Sequence, residues 1–325
     1  MILETLDAAS RLVWSSVLFL SIQGGLAGIA ALALVRVFGR FSPAERSAIL
    51  ILGLVAFVVP FRVLLPGVPA SRTIDLAHPG FAGLDVVALS LSTLYLVGAA
   101  VALGAVARQR LELSRILRTA RPSSTSRTAS VLVSDEVAVP FAARPFAPVV
   151  VLPTGLVRRM APERIEHVVR HEIAHIRHGD LWINLLAAVA RALFWFHPVA
   201  RLLVRELVAV REELCDDAVI RAGCAPASYG STLVRAAELV SSSGASCRVA
   251  FTGREFDRLA SRLRRLGAVD APGHRIARRV SAICCCASVA IGVMLAAPDL
   301  RISRSGPANH RESHRASHLA HHHHG

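Results

Sequence analysis

Apolar positions in this chain fall into long unbroken runs and shorter patterned ones, and the two kinds divide it. Four runs are long enough for membrane-spanning helices: about Leu12 to Val37, Ser47 to Leu65, Leu84 to Ala107 and Val280 to Ala297. Each is near the ~20 residues that a helical span requires. Between the third and fourth runs the pattern becomes that of a folded domain. Pro122–Ser126 reads as a polar linker. Ala129 to Val139 alternates as a strand does, and Pro148–Pro153 is a β-branched strand. Proline at both of its ends predicts an edge position. Pro162 opens a helix, with Glu163 in the first turn, and Gly179 stops it. Leu181–Phe196 is apolar but broken by Arg191 and ended by His197-Pro198. It predicts an amphipathic helix against the domain core or the membrane surface, in preference to a fifth span. A charged helix follows from about Pro198 to Arg221.

Charge orients the spans. Arg36, Arg40 and Arg46 follow the first run; Arg108, Arg110, Arg115, Arg118 and Arg121 follow the third; Arg275, Arg278 and Arg279 precede the fourth. By the positive-inside rule these segments are cytoplasmic. Arg62, near the far end of the second run, must snorkel to the interface. The chain thus reads as a membrane α-helical protein of four transmembrane helices with a cytoplasmic α+β domain. Residues 1–107 hold three spans, 108–279 the domain, 280–298 the fourth span and 299–325 a short extracytoplasmic tail. The expected location is a bacterial inner membrane, multi-pass, with both termini outside.

Composition narrows the chemistry. All 37 basic residues are arginine, which excludes P-loop and Schiff-base mechanisms because both need lysine. The net charge of +14 sits beside apolar runs, without aromatic interleaving. It therefore points to the lipid bilayer as a partner, and no direct nucleic-acid binding is expected. The cysteines Cys215, Cys224, Cys247 and Cys284–Cys286 show no CxxC spacing and fit a reducing compartment.

The chemistry centres on His171-Glu172-Ile173-Ala174-His175. Histidines at i and i+4 share one helix face and can hold a single zinc ion. Glu172 can then take the proton of the attacking water. His167 and His178 lie on the same helix and read as exposed or supporting residues. A carboxylate is the expected third ligand, and Glu212, Glu213, Asp216 and Asp217 are the candidates. Glu212 and Asp216 share a face, so one could ligate while the other orients a histidine.

Together these stretches resemble the BlaR/MecR-type membrane metallopeptidases. The resemblance rests on His171 to Asp180, Phe194-Trp195-Phe196-His197-Pro198, Glu212-Glu213-Leu214-Cys215-Asp216, Pro153-Thr154-Gly155-Leu156 before the zinc helix, and the order of the spans. It implies a gluzincin-like fold with Zn2+ on His171, His175 and Glu212, Glu172 as general base and Asp216 in support. It also implies a peptidase that senses a signal outside and cleaves a cytoplasmic repressor-type protein. The family's β-lactam sensors carry a penicillin-binding domain after the last span. Here Pro298 to Gly325 follows, and a lysine-free chain holds no Ser-x-x-Lys nucleophile.

The sequence leaves the oligomeric state open, a homodimer included, along with the signal and the cleavage site. Tyr229, His197 and His274 are weak candidates for stabilising the oxyanion. Arg264-Arg265 and Arg278-Arg279 are candidate self-cleavage sites. The histidines from His310 to His324 read as a tag-like or disordered tail, with metal sensing as the sharper alternative. Two other functions fit the same motif: a quality-control membrane protease of the HtpX type, and a non-proteolytic signalling scaffold.

Overall fold

A computed structural model describes residues 2–37, 41–60, 73–75, 82–125, 129–242, 253–267 and 299–301. Two of its helices, α1 (Ile2–Val37) and α3 (Ala82–Thr119), hold apolar stretches long enough to cross a membrane, Leu12–Val37 and Leu89–Thr119. Between them lies α2 (Pro43–Val58), 16 residues long and therefore shorter than a full span. It begins earlier than the apolar run because Ser42 and Glu45 form a reciprocal capping box and Pro43 presets the first turn. The far end of the second expected span, after Pro60, and the whole of the fourth lie outside the described residues. The third expected span is part of a longer helix: α3 runs on past Ala107 through Arg108, Arg110, Arg115 and Arg118. A short parallel pairing joins β1 (Thr73–Asp75) to β6 (Asp299–Arg301).

The domain sheet has the order β2-β3-β5-β4, formed by β2 (Arg121–Thr125), β3 (Ser130–Ser134), β4 (Phe141–Ala143) and β5 (Val149–Pro153). Two expectations are corrected here. The polar stretch after Pro122 is β2, antiparallel to β3, rather than a linker. Pro148–Pro153 is a central strand, not an edge. β5 is parallel to β3, antiparallel to β4 and buried throughout. Its prolines stand before the strand and at its last position, so Val149 to Leu152 still supply the ladder's N–H groups. The edges are β2 and β4.

Among the described residues six helices follow: α4 (Thr154–Arg159), α5 (Pro162–Arg177), α6 (Asp180–Leu193), α7 (Pro198–Arg221), α8 (Pro226–Ser242) and α9 (Gly253–Gly267). Gly179 takes φ +73° between α5 and α6, a left-handed conformation that costs glycine little. The α6–α7 hairpin packs into α1 and α2. Ala187, Ala190, Phe194, Leu203, Val204 and Leu207 share one core with Leu32, Leu50, Leu54 and Phe57. A methyl group at Gly28 of α1 would lie 2.6 Å from Val199 Cγ1 and 2.9 Å from Leu203 Cδ1, so glycine is what lets α7 approach. One helix, α7, therefore runs from the apolar bundle into the domain.

Candidate metal centre

α5 presents His171 and His175 one turn apart, with ring centroids 4.8 Å apart and nearly perpendicular. Their Nε2 atoms are 3.2 Å from each other. The C-terminal half of α7 crosses this face and brings Glu212 to both: Oε2 lies 3.4 Å from His171 Nε2, and Oε1 lies 3.6 Å from His175 Nε2. Two neutral-capable imidazoles and a carboxylate, all converging within 4.8 Å, make a donor set that fits zinc. Glu172 stands beside them, 8% exposed.

The acidic run on α7 is thereby sorted. Glu212 faces the histidines. Asp216, 1% exposed, lies behind His171, with Oδ1 3.4 Å from Nδ1. Glu213 and Asp217 turn away: Glu213 pairs with Arg46 of α2 and Arg265 of α9, and Asp217 with Arg265.

Each histidine has a carboxylate at its second nitrogen. His175 Nδ1 is 2.6 Å from Asp180 Oδ2, and Asp180 is ion-paired with Arg211. The Tyr229 hydroxyl donates to Asp216 Oδ1 over 2.7 Å and lies 2.8 Å from His171 Nδ1. Arg262 of α9 donates to both Asp216 oxygens, at 2.8 and 2.6 Å, and its Nη1 lies 2.9 Å from Glu212 Oε2. Such partners fix ring orientation and strengthen a histidine as a ligand.

The electrostatics follow. Burial alone would lower the His171 pKa, but Asp216 and Glu212 hold it up at about 9. Burial and neighbouring His171 push His175 down. Glu212 falls to about 2, because His171 and Arg262 outweigh its burial; Asp216 likewise stays below the ordinary carboxylate range. Burial raises Glu172, against the pull of the two histidines.

The other expected residues are placed elsewhere. His167 Nδ1 is 3.0 Å from Thr232 Oγ1 on α8. His178 ends α5, with Nδ1 3.8 Å from Cys215 Sγ. His197 sits at the hairpin tip, its ring 4.9 Å from Phe57, away from the cluster. Tyr229 is in the site, but behind His171. His274 lies outside the described residues. Sequence reasoning assigned no role to Asp180 or Arg262. Asp180 had a signal, standing directly after the Gly179 that ends the histidine helix. Arg262 had only the amphipathic pattern of its own helix.

An apolar cavity of about 400 Å³ opens beside Glu212 and Arg262, walled by Val139, Val208, Leu233, Val240 and Leu259.

Helices that deliver two histidines and a carboxylate to one point, beside a buried glutamate, make a candidate metal centre of a metallopeptidase. The family profile described as BlaR1 peptidase M56 matches residues 82–266, more than half of the chain, and the chain belongs to that family. The methicillin resistance mecR1 proteins of Staphylococcus aureus and Staphylococcus epidermidis are each 33% identical to it over 72 residues. The match covers 22% of this chain and 12% of each relative.

Proposed function

We propose that this protein is an integral membrane zinc endopeptidase that relays a signal by cleaving a cytoplasmic protein, in particular a transcriptional repressor. The observation that carries the reading is the convergence of His171 Nε2, His175 Nε2 and the Glu212 carboxylate within 3.2–3.6 Å of one another. His171, His175 and Glu212 hold the ion. When bound, zinc polarises the scissile carbonyl and lowers the pKa of the attacking water. Glu172 takes the proton of that water and passes it to the leaving amine. Asp216, with Tyr229 behind it, orients His171; Asp180 orients His175. Arg262 holds Glu212 and Asp216 ionised.

The apolar cavity beside Glu212 receives a nonpolar side chain next to the scissile bond. Val139 and Pro140 line it and lead directly into the edge strand β4, whose free side can pair with an extended substrate. The two apolar helices and the flanking arginines support a multi-pass topology with residues 108–279 in the cytoplasm.

The test compares wild type with Glu172→Ala in whole cells, following repressor and self-cleavage fragments by immunoblot while zinc content is measured on purified protein. The reading expects fragments only in wild type, with zinc in both. Identical fragment patterns contradict proteolysis and leave a scaffold.

A further inference from the structure

Phe146 is 88% exposed and Trp182 46% exposed, yet the two rings meet edge to face at 4.8 Å. Phe146 comes from the turn between β4 and β5; Trp182 lies in the first turn of α6. Two elements of the peptidase domain thus join in one aromatic foot turned to the outside. The turn holds Arg144 at φ +60°, a conformation a non-glycine side chain rarely adopts, and Arg144 is itself exposed. Leu185, one helical turn beyond Trp182, extends the foot and is also exposed.

The fold says what lies beside it. The opposite face of α6, through Ala187 and Ala190, is buried in the core shared with α1 and α2. At the hairpin tip a methyl group on Gly25 of α1 would lie 3.2 Å from His197. The same number of residues separates Trp182 from Phe194 as separates Gly25 from Val37, about 18 Å of helix in each case. Counted along both helices from the Gly25–His197 contact, Trp182 falls toward the Arg36 end of α1, and tryptophan is favoured where hydrocarbon meets headgroups.

We propose that Phe146, Trp182 and Leu185 seat the peptidase domain on the cytoplasmic surface of the bilayer, with Arg144 facing anionic lipid headgroups. This rests on the membrane topology proposed above. The foot adds a second attachment beside the spans and fixes the height of the edge strand β4 and the cavity above the lipid. Substrate then meets the site at a set distance from the membrane.

The chain has three tryptophans, so Trp14→Phe with Trp195→Phe leaves Trp182 as the sole reporter. The full chain would be reconstituted in phosphatidylcholine–phosphatidylglycerol vesicles with a quencher on the acyl chain, near the headgroup or near the chain end. The proposal expects Trp182 to be quenched roughly twofold or more strongly by the shallow label than by the deep one, and to be shielded from acrylamide in water. Adding Phe146→Asp should weaken the shallow quenching and expose Trp182. Resistance to carbonate extraction is read in parallel. Protein that stays in the membrane while Trp182 is unquenched by lipid overturns the seat but leaves the topology. Shielding from acrylamide without lipid quenching overturns it in favour of a second copy covering the foot. Protein extracted by carbonate fails the topology itself.

Discussion

The two halves of α7 are held by different physics. From Pro198 to Val210 the buried face of the helix is apolar, and Ala200, Leu203 and Val210 are completely buried against α1, α2 and α6. From Arg211 onward it buries charge as well, in Arg211 and Asp216 beside Cys215 and Val219, each charged group tied to a partner on α6 or α9. Apolar packing is non-directional and stabilises in proportion to what it fills. Buried charges stabilise little in net terms, but leaving one unpaired is expensive. The first half is therefore an anchor, and the second half exists for its chemistry. Joining both in one helix ties the position of Glu212 to the core that the α6–α7 hairpin shares with α1 and α2.

That contrast can be broken at either end. The largest effect is expected at the site: Glu172→Gln should lower cleavage roughly 10²–10⁴-fold while zinc content stays that of wild type, as read by elemental analysis beside a peptidase assay. Next is the anchor. Leu203→Ala should destabilise the fold by roughly 2–5 kcal/mol, seen as a lower melting temperature, with zinc affinity of the folded fraction unchanged. Asp180→Asn should weaken zinc binding roughly 10–100-fold, as competition with a chelator would measure, and should also lower the melting temperature, because it leaves buried Arg211 without its charge partner. The smallest effect belongs to Arg46→Ala. Its pair with Glu213, 2.9 Å apart and partly solvated, should contribute about 1 kcal/mol or less. A large loss of zinc affinity there would mean that the two halves are more tightly coupled than the packing indicates.

The parts of this arrangement set by local pattern were legible in the sequence. His171, His175 and the face shared by Glu212 and Asp216 follow from helical spacing, and Pro162, Gly179 and Pro198 mark their helices' ends. What was not legible depends on distant segments. The misassigned edge strand shows this: β5's prolines suggested an edge, but β3 and β4 enclose it, and strand order is a tertiary fact. Arg262 shows it too. No spacing rule links α9 to α5, and only the fold sets this guanidinium 2.9 Å from Glu212. Residue type alone left four carboxylates in the acidic run, the resemblance pointed to Glu212, and in the fold α9 and Arg46 claim Glu213 and Asp217.

X-ray absorption at the zinc edge on the purified full chain reads the ligands of the ion themselves. Cys215 Sγ lies 3.3 Å from His175 Nδ1, and His175, Asp180 and Cys215 form a second cluster able to hold an ion. Zinc on His171, His175 and Glu212 predicts nitrogen and oxygen scatterers alone, at about 2.0–2.2 Å. A sulfur shell at about 2.3 Å would place the metal on Cys215 and contradict the account.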